Sequence, residues 1–436
     1  TCSLLIVFLY LQNSDKAKDH LTDLLNRQEF MKVLQNKVKD KNKIPFTVVL
    51  VSLKDLKFIN EQFGYVSGDI LMKEIASYFK KIVNPASLFR FSDNGISIII
   101  DQEVNIGSVI ARIRNRFNNS WCIKECDYIL SVSIAAVAYP NIAKNIEDII
   151  NGINLAIETA KENKDNYSYC DLKMIQRARR KGEILKEIKE IPIEKNFQIY
   201  MQPIYSVKKN RFEMGEILLR MNNSRIGTIR PDEFIPILEE SGQIIEVTYW
   251  ILEEICKTLQ KQLKKTTITG VAINFSYIQF LQEDLLLKIF YIINKYKIPP
   301  SMIIIEITES TLIEDIDRMK QIINQMTEKG FRFEIDDFGT GYSNISTVID
   351  LPVETVKLDK YLIWAAEKMP KSKVIVENIS FALKKMNIDV LAEGVETESQ
   401  NNLAKKLGCD YIQGFFYAKP IPLDKALECF ITKIDY

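Results

Sequence analysis

Eight short apolar segments, each ending at or near a polar or charged residue, recur through the second half of this chain. They restrict its fold more than any other feature. They are Phe197–Pro203, Phe212–Leu219, Thr269–Phe275, Met302–Ile307, Arg332–Asp337, Thr355–Asp359, Asp389–Glu393 and Tyr411–Phe416, with helical stretches between them. Eight strands alternating with helices is the count of a (β/α)8 barrel of the TIM type, and such a barrel gathers its active site at the strand ends. The expected class is α/β.

Those ends carry Glu216, Asn274, Glu306, Asp336 with Asp337, Lys357 with Asp359, Glu393 and Gln413. Any one of them alone reads as a helix cap or a surface residue. Several converging on one rim are a different matter. A buried carboxylate is costly without a cation, and neighbouring carboxylates repel one another. Divalent ions remove the conflict, and two of them ~3.5–4 Å apart are the usual apparatus for phosphodiester hydrolysis. The chain has a single histidine, His20, so a two-histidine metal motif is ruled out. Oxygen ligands remain, which select Mg²⁺, Mn²⁺ or Ca²⁺.

Ahead of the barrel the order is mixed. Asp15 to about Asp40 reads as helical, Pro45–Leu53 as a strand, Ser67–Val83 as a helix, and Ser87–Phe91 with Ile96–Ile100 as a hairpin. A helix near Gly107–Arg116, a strand at Tyr128–Ala138 and a helix at Ile146–Asn163 follow. This is an α+β domain with an antiparallel component. The charged stretch 171–192, with Arg177, Arg179, Arg180 and Lys181, reads as a helical linker. The expected domains are therefore 15–170, a linker 171–192, and 193–436.

Residues 1–14 open on the apolar run Thr1–Leu11, which is too short for a bilayer needing ~20 residues. With Lys16 and Lys18 just beyond, the run reads as the cytoplasmic end of a transmembrane helix, the alternative being a buried or partner-facing helix. This would place the domains that follow on the cytoplasmic face of a membrane, below an upstream sensor or membrane segment. Lys+Arg total 58 against 57 Asp+Glu, so no basic excess points to a DNA or RNA partner. Seven dispersed cysteines without a CxxC argue for a reducing compartment and against a disulfide scaffold.

Several of these segments match a known signature. Gln202-Pro-Ile, Glu216-Ile-Leu-Leu-Arg220, Pro231-Asp-Glu-Phe-Ile-Pro236, Asn274-Phe-Ser, Glu306-Ile-Thr-Glu309, Asp336-Asp-Phe-Gly-Thr-Gly-Tyr-Ser343, Lys357-Leu-Asp359, Glu393-Gly-Val-Glu396 and Gln413-Gly-Phe follow one another in order. Over about Glu183 to Pro422 the chain resembles the EAL-type cyclic di-GMP phosphodiesterases, with Ile217 in place of the usual alanine. The resemblance implies that Glu216, Asn274, Glu306 and Asp336 hold one Mg²⁺ or Mn²⁺. Asp336 would bridge to a second ion completed by Asp337 and helped by Asp359 and Glu393. It implies that Lys357 orients and helps deprotonate the attacking water, on a pKa that nearby metals depress. Glu309 would pin the Asp-Asp-Phe-Gly-Thr-Gly loop, while Gln202, Arg220, Asp359, Glu396 and Gln413 would serve the substrate and the outer ring. The product would be linear pGpG, and family likeness suggests a homodimer through this domain. The competing reading is a receptor that binds cyclic di-GMP without turnover; such receptors commonly lack some of these acids, and this chain keeps them all.

Over about Asp19 to Tyr167 the chain resembles a GGDEF (diguanylate cyclase) domain, from Asp19-His-Leu-Thr-Asp-Leu-Leu-Asn-Arg27 through Asn60 and Gly68-Asp69. Its catalytic parts are missing. The signature loop reads Ser92-Asp-Asn-Gly-Ile96, which puts Gly95 at the metal-binding glutamate, and Ser52 stands at the earlier metal aspartate. Cyclase activity is not expected. Asn60, Asp69 and Lys161 leave open a vestigial nucleotide site for GTP as an allosteric ligand, against the alternative of a scaffold or dimerisation module.

Overall fold

A computed structural model describes residues 17–123, 126–221, 225–262, 265–309, 311, 315–339 and 351–431. The chain divides into two compact units, Thr1–Gly182 and Glu183–Tyr436.

The first unit is built on a sheet of order β2-β3-β1-β6-β7. Its strands are β1 (Phe46–Leu53), β2 (Leu88–Ser92), β3 (Gly95–Asp101), β6 (Val132–Tyr139) and β7 (Tyr167–Tyr169). Every residue of β1 is buried, so both faces of this central strand are covered. Alternation sends Val49, Val51 and Leu53 to one core and Val48 and Leu50 to the other. A separate hairpin, β4 (Trp121–Ile123) with β5 (Cys126–Tyr128), splits what the sequence presents as one strand ending at Ala138. The helical stretch expected from Asp15 to about Asp40 is interrupted among the described residues: Ala17 is helical, and the next helix runs Arg27–Lys39, capped by Asn26. Residues 19–23 form a turn in which the Asp19 carboxylate accepts from the Thr22 N–H and hydroxyl, a local alternative to a helical ladder.

The second unit is the barrel. Its strands are β8 (Phe197–Ser206), β9 (Arg211–Met221), β10 (Gly270–Asn274), β11 (Ile303–Thr308), β12 (Arg332–Phe338), β13 (Thr355–Leu358), β14 (Asp389–Ala392) and β15 (Tyr411–Ile412). Strand β15 pairs back to β8 and closes the ring, and a short β16 (Ile421–Pro422) also pairs with β8. One correction to the expected (β/α)8 pattern is needed: β8 runs antiparallel to β9 and β15. Only four turn residues, 207–210, join β8 to β9, and a connection that short reaches only an antiparallel neighbour. The other six pairings, from β9 to β15, are parallel.

The period of two along each strand decides what the barrel holds. Ile204, Met214, Ala272, Ile304 and Leu391, with Tyr411 against them, form one small apolar cluster. Neighbours such as Ile217, Ile273, Ile305, Ile335 and Val356 belong instead to the large core shared with the helices. Two residues from each member of the small cluster stands a polar one: Gln202, Glu216, Asn274, Glu306, Glu393 and Gln413. The same step on β12 and β13 leads from Glu334 and Thr355 to Asp336 and Lys357. The apolar layer is thus a floor and the polar layer lies above it. Among the described residues, no helix is long and apolar enough to cross a membrane; the apolar run at 1–11 lies outside them.

Candidate functional site

Lys357 is the centre of the polar layer and is fully buried. Its Nζ lies 3.2 Å from Glu216 Oε2, 2.9 Å from Glu306 Oε1, 3.0 Å from Asp336 Oδ1 and 2.7 Å from Glu393 Oε1. Strands β9, β11 and β12, and the residue just after β14, therefore each aim one carboxylate at an ammonium carried by β13. Burial would push the lysine pKa down, but Asp336, Glu216, Glu306 and Glu393 together hold it well above the ordinary value.

One ammonium does not neutralise four carboxylates, and the acids respond. Burial, then the charge of Glu216, raises the Glu306 pKa well above the usual carboxylate range against the pull of Lys357. Burial likewise raises Glu393 to about 8, with Lys357 opposing and Asp336 and Glu216 adding to the rise. Asp337 is raised by burial and by the charges of Asp336 and Asp359. Such a site retains protons unless more positive charge arrives.

The carboxylate oxygens fall into two groups, Glu216–Glu306–Asp336 and Asp336–Asp337–Glu393, each within 4.8 Å and sharing Asp336. Among the described residues these are the two acidic groupings of this kind, and both lie in the barrel. Asp337 reaches its group because its backbone is left-handed, at φ 55°, and because the β12–β13 register shifts between Ile335 and Phe338. That shift turns two consecutive aspartates toward one rim. Hard oxygen donors, a shared carboxylate and a shortage of positive charge make the donor chemistry of a pair of divalent cations.

Amides complete the first grouping. Asn274 Nδ2 donates to Glu216 Oε1 at 3.2 Å and to Glu306 Oε2 at 3.0 Å. Gln413 Nε2 donates to Glu216 Oε2 at 2.6 Å and to Gln202 Oε1 at 3.2 Å. Gln202 Nε2 in turn donates to the Ala418 carbonyl at 3.0 Å. Gln413 is held close by Gly414, where a Cβ would stand 2.0 Å from the Val395 carbonyl oxygen.

The remaining expected residues lie further out. Asp359 follows β13 and caps the helix Lys360–Lys368, its Oδ1 accepting from Tyr361 N at 2.8 Å. Arg220 is half-buried, with its guanidinium 5.7 Å from the centroid of the Tyr200 ring, and it lines a cavity of about 270 Å³ together with Leu218, Asn274 and Thr308. Glu396 is exposed and stands outside both acidic groupings. Glu309 is half-buried just beyond β11, and the loop it was expected to pin lies outside the described residues from Thr340 on.

Sequence reasoning passed over Glu334. It lies on β12, in register with Glu306 and Thr355, and is buried, with burial raising its pKa to about 7 against Lys357 and Arg332. Its position two residues before Asp336 is the signal that would have placed it in the lumen.

In the first unit, β1 and β3 pair Ser52 directly with Gly95, the two positions where the resemblance calls for acids. Asn94 Nδ2 donates to Ser52 Oγ at 3.2 Å and to the Leu53 carbonyl at 3.0 Å. Lys54 Nζ reaches Asn166 Oδ1 at 2.5 Å and the Lys161 carbonyl at 3.1 Å. Asn60 is half-buried on the helix Leu56–Phe63, whereas Asp69 and Lys161 are exposed.

Comparison with known proteins gives matches to the EAL domain over residues 185–420 and to the diguanylate cyclase GGDEF domain over residues 16–167. The chain is 32% identical to the signaling protein YkoW of Bacillus subtilis over 424 residues, covering 95% of this chain and 53% of that protein. It is 26% identical to MucR of Pseudomonas aeruginosa, named a bifunctional diguanylate cyclase/cyclic di-GMP phosphodiesterase, covering 94% of this chain and 61% of MucR. A solved PaMucR phosphodiesterase in complex with c-di-GMP is similar to 56% of this chain over all of its own length, at 30% identity and a TM-score of 0.53. The chain spans between about half and three-fifths of the length of these curated relatives.

Proposed function

We propose, on the premise that this chain belongs to the EAL domain family and carries a GGDEF domain ahead of its barrel, that the barrel hydrolyses cyclic di-GMP to linear pGpG with Mg²⁺ or Mn²⁺. The observation that carries the proposal is the pair of acidic groups sharing Asp336 around the buried Lys357. The PaMucR structure, described as a phosphodiesterase with c-di-GMP bound, supports the choice of substrate.

Glu216, Asn274, Glu306 and Asp336 would hold one ion, and Asp336, Asp337 and Glu393, helped by Asp359, the other. Bound ions there supply the positive charge that stabilises a pentacovalent phosphate and lets water attack at neutral pH. Asn274 and Gln413 fix the carboxylate of Glu216 from two sides. Lys357, set among these carboxylates, would orient the attacking water and, as the neutral amine, would take its proton. The water oxygen bonds to phosphorus, the bond to the 3′-oxygen breaks, and that oxygen takes up a proton. Arg220, beside the cavity it shares with Asn274, would meet the dinucleotide, with Gln202 and Glu396 in the outer ring.

Chromatography of cyclic di-GMP incubated with the chain and Mg²⁺ or Mn²⁺ tests this. pGpG should form, and Glu216→Ala should abolish it. Binding of cyclic di-GMP without any pGpG would favour the receptor reading instead.

The first unit is proposed to be catalytically inactive, because the facing positions 52 and 95 carry no carboxylate. GTP would be its allosteric ligand if Asn60, Asp69 and Lys161 still grip it, and isothermal titration at sub-millimolar GTP decides that. A homodimer through the barrel fits the exposed Val374, Ile375 and Phe381 on the helix Pro370–Lys385. Tethering to a membrane or sensor through the N-terminus belongs to the same proposal.

A further inference from the structure

Glu393 does not sit in a strand. It follows β14 directly, its N–H donates to the Leu358 carbonyl at 3.1 Å, and the turn that comes next bounds it on the other side. Gly394 is left-handed at φ 61°, and a Cβ there would lie 2.4 Å from Lys360 Cβ. The Gly394 carbonyl accepts a hydrogen bond from Trp364 Nε1 at 3.0 Å. Trp364 belongs to the helix Lys360–Lys368, whose cap is Asp359. The Lys360 ammonium lies 5.8 Å from the centroid of the Trp364 ring, and Tyr361 meets that ring edge-on at 5.9 Å. The indole is therefore held in one orientation before it donates. On the other side, Val395 N donates to the Gln413 carbonyl at 3.2 Å and Phe416 N donates to the Val395 carbonyl at 3.0 Å.

We infer that Trp364 is a positioning residue for Glu393: its indole N–H holds the Gly394 carbonyl and so sets the turn that aims the Glu393 carboxylate at Lys357 and the second acidic group. The inference rests on the hydrolase reading above and deepens it. Asp359 and Glu393 lie on different βα connections, and the path Asp359–helix–Trp364–Gly394–Glu393 ties them into one unit. Main-chain bonds already restrain Val395, but Gly394, the residue next to the carboxylate, has the indole as its side-chain anchor. A carboxylate displaced by as little as 1 Å can cost on the order of 10²-fold in rate.

The test is Trp364→Phe in the full chain, alongside Trp364 replaced by its benzothienyl isostere, which keeps the shape and removes only the N–H. Trp250→Phe, an indole on the helix Ile244–Gln262, serves as the control. Both position-364 variants should lose about 10- to 100-fold in kcat with KM for cyclic di-GMP changed less than about 2-fold. Both should bind Mn²⁺ several-fold more weakly by calorimetry, at an unchanged melting temperature for the isostere, while Trp250→Phe matches the unaltered chain. Unchanged kcat and Mn²⁺ affinity in the isostere would overturn the inference. So would a loss that falls on KM alone, or an equal loss in Trp250→Phe. If the unaltered chain makes no pGpG, the hydrolase reading fails, and the Mn²⁺ affinities still judge the role of Trp364.

Discussion

Adding metal to the metal-free chain should expel protons, and the number can be worked from the acids around Lys357. Glu393, with its pKa at about 8, carries about 0.9 of a proton at pH 7, and the upward shift of Glu306 acts in the same direction. Cations require the ionised carboxylates, so binding releases what those groups hold. Glu393 by itself should yield about 0.9 of a proton per chain at pH 7, a share that falls by about 0.8 at pH 9, where it would retain only about 0.1. Calorimetric titration of Mg²⁺ or Mn²⁺ into EDTA-treated chain, in buffers of different ionisation enthalpy, measures the number as a slope. Glu393→Gln should lower it by about 0.9 at pH 7. A slope near zero at pH 7 would refute the reasoning, since the acids would then be ionised without metal. The same shift sets the stability of the metal-free chain. Glu393 is raised in the folded state, so its contribution is present below about pH 4.5 and is lost as pH rises towards about 8. Metal-free melting temperature should fall across that window, and metal should restore it.

Lys357→Ala should lower turnover by on the order of 10²- to 10⁴-fold while leaving cyclic di-GMP binding largely intact, a split read from steady-state rates and calorimetry; equal losses in both would contradict the assigned role. Glu334→Gln should raise the melting temperature by several degrees at pH 8 and hardly at all at pH 5, because the buried acid destabilises only as pH rises from about 4.5 through its raised value of about 7. Gly414→Ala should cost roughly 2 kcal/mol or more and abolish activity, since the new Cβ would stand 2.0–2.6 Å from the Val395 backbone; denaturant unfolding measures it, and a neutral outcome would mean that this contact relaxes freely.

Much of the barrel is legible in the chain because its signals are local. Runs such as Met302–Ile307 and Phe333–Asp337 announce strands by composition and length, and eight of them with helices between leave few alternatives. The stretch expected to be helical through to Asp40 is interrupted for a local reason too, because Asp19 and Thr22 satisfy each other in a turn. The antiparallel entry of β8 was also available, in the mere four residues before β9, but the repeated strand–helix rhythm concealed it.

The site divides along the same line. The inventory of acids, the absence of histidine pairs and the loss of carboxylates at positions 52 and 95 are facts about residue types, and the sequence by itself determined them. Only tertiary structure decided that Lys357 touches four carboxylates, that Asp336 belongs to two groups at once, that Glu334 is sealed beneath them, and that Trp364 holds the turn after Glu393. Each of these depends on the register between segments far apart in the chain. A shift of one residue along any strand would send its polar side chain to the opposite face, whatever the local sequence says.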